Sequence, residues 1–88
     1  MWKVVFSKNA DKDKHRLKQA GLDKKTKALL SILQENPFQN PPPYEKLIGD
    51  LKWYYSRRIN IQHRLVYKVD QEHHRVEVRS MWTHYERD

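Results

Sequence analysis

At 88 residues, 38% hydrophobic and 33% charged, the chain has room for one domain with a thin core. Its formal charge of +7 favours a polyanionic partner: nucleic acid, an acidic protein or an anionic surface. The absence of cysteine excludes disulfides, thiolate metal sites and thiol nucleophiles, and no apolar run approaches the roughly 20 residues of a membrane span.

The opening MWKVVFSK has too short an apolar stretch for a signal peptide, so a soluble, cytoplasmic protein is expected. Within it, Trp2–Phe6 is β-branched and aromatic and predicts a strand. Ser7 offers an N-cap for a highly polar helix over Lys8–Ala20, whose sparse apolar stripe of Ala10, Leu17 and Ala20 places it near the surface. Gly21 suits a helix C-cap, and Asp23 can cap a second helix over Lys24–Asn36. Leu29, Leu30, Ile32 and Leu33 make that helix's buried face, and Asn36-Pro37 stops it.

The four prolines of PFQNPPPYEKLIGD, Pro37 to Asp50, predict an extended, stiff loop. Three segments of strand composition follow: Trp53–Ile59, Arg64–Val69 and Arg75–Ser80. The connections NIQH and DQEHH are short enough for hairpins, so the three form an antiparallel meander. With the first strand beside them, the expectation is one α+β domain over residues 1–88, in the order βααβββ. It is a small, twisted, antiparallel-rich sheet with a helical hairpin on one face.

Alternation then sorts the charges. Trp53, Tyr55, Arg57 and Ile59 share one face of their strand, and Tyr54, Ser56 and Arg58 the other. Leu65, Tyr67 and Val69 oppose Arg64, Val66 and Lys68; Val76 and Val78 oppose Arg75, Glu77 and Arg79. One sheet face is therefore apolar, for the helices. The other carries Arg64, Lys68 and Arg79, with tyrosines close by in sequence that can stack bases. A solvated face that blocks edge pairing fits the same pattern.

The histidines His15, His63, His73, His74 and His84 lack the paired spacing of zinc ligands, and no Gly-rich phosphate loop or nucleophile elbow is present. No metal or cofactor is expected. What remains is a metal-free acid–base set: Glu45 after the proline loop, Arg64 on the basic face, and His84-Tyr85 after the last strand. RNA cleavage needs a base for the 2′-OH, a cation for the phosphorane and an acid for the leaving 5′ oxygen. On spacing alone, each of these residues also fits an ordinary solvated role.

The segments PPYEKLIGDL, WYYSRRINIQHRLVYKV and MWTHY together resemble the YoeB/Txe toxins, a RelE-superfamily branch of bacterial type II toxin–antitoxin systems. The resemblance runs over nearly the whole chain. It implies a RelE-like, microbial-ribonuclease-type fold and translation-dependent cleavage of mRNA in the A site of the 70S ribosome. It also implies neutralisation by a YefM/Axe-type antitoxin with an acidic C-terminal segment, and toxins that can form homodimers. Carried over by residue, Glu45 is the general base, Arg64 stabilises the transition-state phosphate, His84 is the general acid and Tyr85 orients the substrate. Arg57 and Arg58 match the family's arginine pair, with alternation favouring Arg58 as the phosphate contact. Ile48 replaces an expected basic residue, which leaves Lys46 or Lys52 to substitute. With Lys68 and Arg79 these complete the expected RNA-binding set. The chain also continues past His84-Tyr85 with Glu86-Arg87-Asp88. Two alternatives stand beside this reading: from a different class, a ribosome- or nucleic-acid-binding module without catalysis, and, from the same superfamily, a ParE-like toxin acting on gyrase.

Overall fold

The computed structural model describes residues 1–83. Its elements are β1 (Lys3–Phe6), α1 (Lys8–Gln19), α2 (Asp23–Glu35), β2 (Glu45–Lys46), a 3-10 turn (Gly49–Leu51), β3 (Tyr55–Arg58), β4 (Arg64–Asp70) and β5 (Arg75–Thr83). They form one mixed five-stranded sheet in the order β1-β5-β4-β3-β2, covered by the two helices. The meander β3-β4-β5 is antiparallel, and β1 joins β5 in parallel.

Local chemistry explains the helix boundaries. The Ser7 hydroxyl accepts from the Ala10 amide at 3.0 Å, capping α1, and donates to the Arg79 carbonyl at 2.7 Å. At the other end Gly21 takes a φ of 73°, the left-handed conformation that costs glycine least. Gly21 N donates to Lys18 O and Leu22 N to Leu17 O, so two end carbonyls of α1 are satisfied in a Schellman arrangement. Thr26, Leu29 and Leu33 then recur at helical spacing and turn α2 toward the sheet.

The core lies between helices and sheet. Ala10, Leu17, Leu29 and Leu33 meet Ile59, Leu65, Tyr67, Val76, Val78 and Met81, all buried. Helix α1 contributes little apolar surface, as its composition predicts, yet Asp13 is buried within it. Its carboxylate accepts from the Met81 amide at 2.9 Å and ties the helix to the far end of β5.

Three details depart from the sequence-based expectation. The segment after the prolines is not all loop: Glu45 and Lys46 pair with Ser56 and Tyr55, adding an edge strand the predicted order lacks. Once Pro43 is past, every residue has an N–H to donate, and Leu47 N extends the pairing to Tyr54 O at 3.0 Å. Trp53 does not face the core. The 3-10 turn closes just before it, and it is 67% exposed. Strand β5 runs on to Thr83 through two register shifts, at Arg64/Val66 and Val66/Tyr67 on its partner β4. Among the described residues no helix is long and apolar enough to cross a membrane.

Candidate active site

The face turned away from the helices is read from Cα register. Glu45 lies opposite Ser56, Ser56 opposite Val66, and Val66 opposite Ser80. One step along, Arg58 lies opposite Arg64, and Arg64 opposite Thr83. Residues two apart on a strand share a face, and so do partners in register, so Glu45, Ser56, Arg58, Arg64 and Val66, which belong to these two rows, lie on the face turned away from the helices. A carboxylate and two guanidinium groups thus come from β2, β3 and β4 onto one surface.

Arg58 and Arg64 are the electrostatic centre. Like charges directly opposite one another in an antiparallel pair repel. Among the described residues neither arginine has an ion-pair partner. An anion seated between them removes the repulsion, and a guanidinium offers forked N–H donors that match phosphate oxygens.

The position of Arg64 is braced from the preceding residue. His63 is buried, with its ring stacked on Trp82 at a 3.9 Å centroid separation and Nδ1 3.0 Å from the Trp82 carbonyl oxygen. The Asn60 side chain accepts from the amides of Gln62 and His63 at 2.8 and 2.7 Å, which shapes the turn into β4. Thr83 follows Trp82 and stands in register with Arg64. His84 and Tyr85 come next in sequence and lie outside the described residues.

A second cationic group borders the first. Tyr54 has Lys68 Nζ 5.6 Å and Arg79 Cζ 5.4 Å from its ring centroid. Arg79 falls within the irregular stretch of β5, where Val66 pairs with Ser80 and Tyr67 with Val78, and its carbonyl is held by Ser7. Lys68 also approaches Glu77 at 3.9 Å across the strands, while Glu77 pairs more closely with Arg75 of its own strand at 2.9 Å. Tyr54 was not among the sequence-derived site residues, although alternation puts it with Ser56 and Arg58.

Arg57 requires a correction. The family resemblance groups it with the RNA-binding residues, but it points inward and is 0% exposed. Its guanidinium donates to the Pro42 carbonyl at 2.6 Å, Pro37 at 3.0 Å and Gln39 at 2.9 Å, and to Tyr67 Oη at 3.1 Å. It lies 4.9 Å from the Tyr44 ring centroid. A buried cation is tolerated only when its donors are satisfied, and here carbonyl dipoles and aromatic faces do so. The result is a clamp on the proline loop, which Phe38 and Tyr44 also pin by packing against Tyr55. Glu45 follows directly from this clamped loop.

Lys46 needs a similar correction: it pairs with Tyr55, on the face opposite Glu45. Lys52 is exposed beside Trp53, with Nζ 5.3 Å from its ring, in the connection to β3 and off the two rows. Tyr67 and Asp70, both outside the rows, titrate away from their ordinary values. Burial pushes the Tyr67 hydroxyl up to about 12, opposed by Arg57. A hydrogen bond from His73 leads the causes that hold Asp70 below the usual carboxylate range. Among the described residues no three His, Asp or Glu side chains converge as a metal site.

Comparison with known proteins matches this chain to a known family. The family described as "YoeB-like toxin of bacterial type II toxin-antitoxin system" matches residues 6–85. The Toxin YoeB of Streptomyces coelicolor is 44% identical over 45 residues, 51% of this chain and 54% of that protein. Toxin RelK of Mycobacterium tuberculosis is 44% identical over 41 residues, 47% of this chain and 48% of that protein. The chain thus spans about half the length of the curated relatives it matches. Solved structures align more fully. A YoeB/ParE toxin from Agrobacterium tumefaciens is 32% identical with a TM-score of 0.84, covering 94% of this chain and 99% of that one. The heterotetrameric YoeB-YefM toxin-antitoxin complex from Staphylococcus aureus is 35% identical with a TM-score of 0.79, covering 97% and 99%. With the family match extending from β1 past the end of β5, this chain belongs to the YoeB-like toxins of bacterial type II toxin–antitoxin systems.

Proposed function

We propose that the chain is a ribosome-dependent mRNA endoribonuclease that halts translation in the bacterial cytoplasm. The observation that carries this is the Arg58–Arg64 couple, without an ion-pair partner among the described residues, one row from Glu45 on a single sheet face and in register with Thr83. Glu45 takes the proton of a ribose 2′-OH, and the 2′ oxygen attacks the neighbouring phosphorus. Arg64, with Arg58, stabilises the extra negative charge of the phosphorane. His84 protonates the departing 5′ oxygen, leaving a 2′,3′-cyclic phosphate and a 5′-OH, and Tyr85 orients the substrate. No metal takes part in this scheme. Lys68 and Arg79 extend the basic track for flanking phosphates.

A carboxylate, an imidazole and a guanidinium on a small open sheet form a modest catalyst alone. The ribosome supplies the rest by holding the mRNA so that its 2′ oxygen is in line with the scissile bond. The neutralising partner is a YefM-type antitoxin, in keeping with the YoeB-YefM complex of S. aureus, and the toxin pairs with itself, as in the YoeB dimer of S. aureus. An acidic antitoxin segment laid over the Arg58–Arg64 row would replace the RNA phosphates there.

Primer extension on mRNA translated in vitro tests this reading. The wild-type chain, stripped of metal by EDTA and exchanged into chelator-free buffer before it is added to magnesium-replete ribosomes, should create new ends at ribosome-bound codons. Glu45→Gln and His84→Ala should abolish the ends and the growth arrest while remaining folded. Ribosome binding without cleavage favours the non-catalytic module, and loss of supercoiling activity in a gyrase assay favours the ParE-like alternative.

A further inference from the structure

The outer face has a buried floor. Ser56 and Val66 turn away from the helices, yet they are 1% and 2% exposed. The Ser56 hydroxyl is buried and has no hydrogen-bond partner among the described residues. Burying an unpartnered hydroxyl costs stability, and alanine would fill the site without that cost. A strand interior also gains little from serine. The hydroxyl therefore sits at a cost in stability, at the position in register with Glu45.

Glu45 and Ser56 are Cα partners on adjacent strands. Such partners place their Cβ atoms about 4.5–5.5 Å apart on the same face, within reach of a glutamate side chain swung across the pair. Glu45 itself is exposed, so it has freedom to do so. We propose that Ser56 is a positioning residue for Glu45: its hydroxyl donates to one carboxylate oxygen when RNA covers the face. That bond leaves the second carboxylate oxygen aimed outward to take the 2′ proton. A hydroxyl suits this task because it is a neutral donor. A lysine there would neutralise the base, and an amide would add a second donor with no partner. Val66, on the other side of Ser56, offers the hydroxyl no competing acceptor side chain.

The inference rests on the ribonuclease reading, and its test separates the two. Ser56→Ala, Ser56→Thr and Glu45→Gln are compared with wild type in single-turnover cleavage on programmed ribosomes, with ribosome affinity and thermal midpoint measured alongside. Ser56→Ala should cleave roughly tenfold more slowly, the worth of one hydrogen bond in the transition state, with unchanged affinity and a midpoint equal to or above wild type. The acid limb of its pH–rate profile should move to higher pH, because a donor to the carboxylate has been lost. Threonine should restore both rate and profile. Wild-type rate and profile in Ser56→Ala, beside an inactive Glu45→Gln, overturns the role of Ser56 alone. Undiminished cleavage by Glu45→Gln overturns the base assignment and the Ser56 role with it. A slow Ser56→Ala with a lowered midpoint or weakened affinity reduces Ser56 to a structural residue.

Discussion

Arg57 and Tyr67, on neighbouring strands, both donate to the carbonyl oxygen of Pro37, each at 3.0 Å, and Arg57 Nε also donates to Tyr67 Oη at 3.1 Å. The start of the proline loop is thereby tied to the sheet by two buried side chains. Replacing Arg57 with Met, of similar length, leaves the Pro37, Gln39 and Pro42 carbonyls without this donor. A loss on the order of 3 kcal/mol in a urea titration is expected. Lysine should not restore it, because a single ammonium cannot reach the forked set of acceptors. The neighbouring Arg58→Ala, on the exposed side of β3, should change stability by less than about 0.5 kcal/mol while weakening RNA binding. Equal stability losses at the two positions would contradict the inward and outward assignment.

Tyr67 also sets an alkaline limit. Burial, partly offset by Arg57, raises its hydroxyl from 10.0 to about 12. Below pH 10 the hydroxyl is protonated in both folded and unfolded chains, and its full contribution is present. Between pH 10 and about 12 only the unfolded chain releases the proton, so stability falls by on the order of 2 kcal/mol across that window. Denaturation followed from pH 9 to 12 should show this decline, and Tyr67→Phe should flatten it. An equally steep decline in the phenylalanine variant would assign the effect to other groups.

Ser7 joins helix and strand through one hydroxyl, capping α1 and holding the Arg79 carbonyl. Ser7→Ala should cost about 1–2 kcal/mol, at the upper end of ordinary caps because two hydrogen bonds go together. Amide exchange should accelerate at Ala10 and in the irregular stretch of β5. Acceleration confined to α1 would show that Ser7 does not hold the strand.

Asp70 accepts hydrogen bonds from His73 and Arg75 at the turn between β4 and β5. The His73 bond is the leading cause of its lowered pKa. The stability it lends is present above the ordinary carboxylate range and is lost as pH falls through the lowered value. In an NMR titration, His73→Ala should move the Asp70 midpoint upward toward 3.8. An unmoved midpoint would make Arg75 the controlling partner.

Periodicity alone placed Arg58, Arg64 and Lys68 on the outer face, because β3 and β4 are regular enough for strict alternation. It also put Arg57 with the apolar residues. Sequence could not say that three loop carbonyls would converge there to accept a cation, since those partners come from residues 37–42, far from it along the chain. Edge strand β2 is illegible in the sequence for a related reason. Two residues carry no period, and only the partner strand reveals the pairing. The irregularity of β5 was equally hidden, since the Ser7 hydroxyl that secures it comes from the other end of the chain. The role of Ser56 depends on that same edge strand, and a serine between Tyr55 and Arg57 carries no chemical signature of its own.

The sheet order has a consequence for synthesis. Strand β1 is made before the helices and the meander, but among the described residues its neighbour in the sheet is β5, the last element of that order. Strand β5 in turn separates β1 from β4, and its residues Val76, Val78 and Met81 close the core. A nascent chain still lacking β5 cannot join its N-terminal strand to the meander, nor set Thr83 beside Arg64. The toxin fold is therefore incomplete until β5 has emerged.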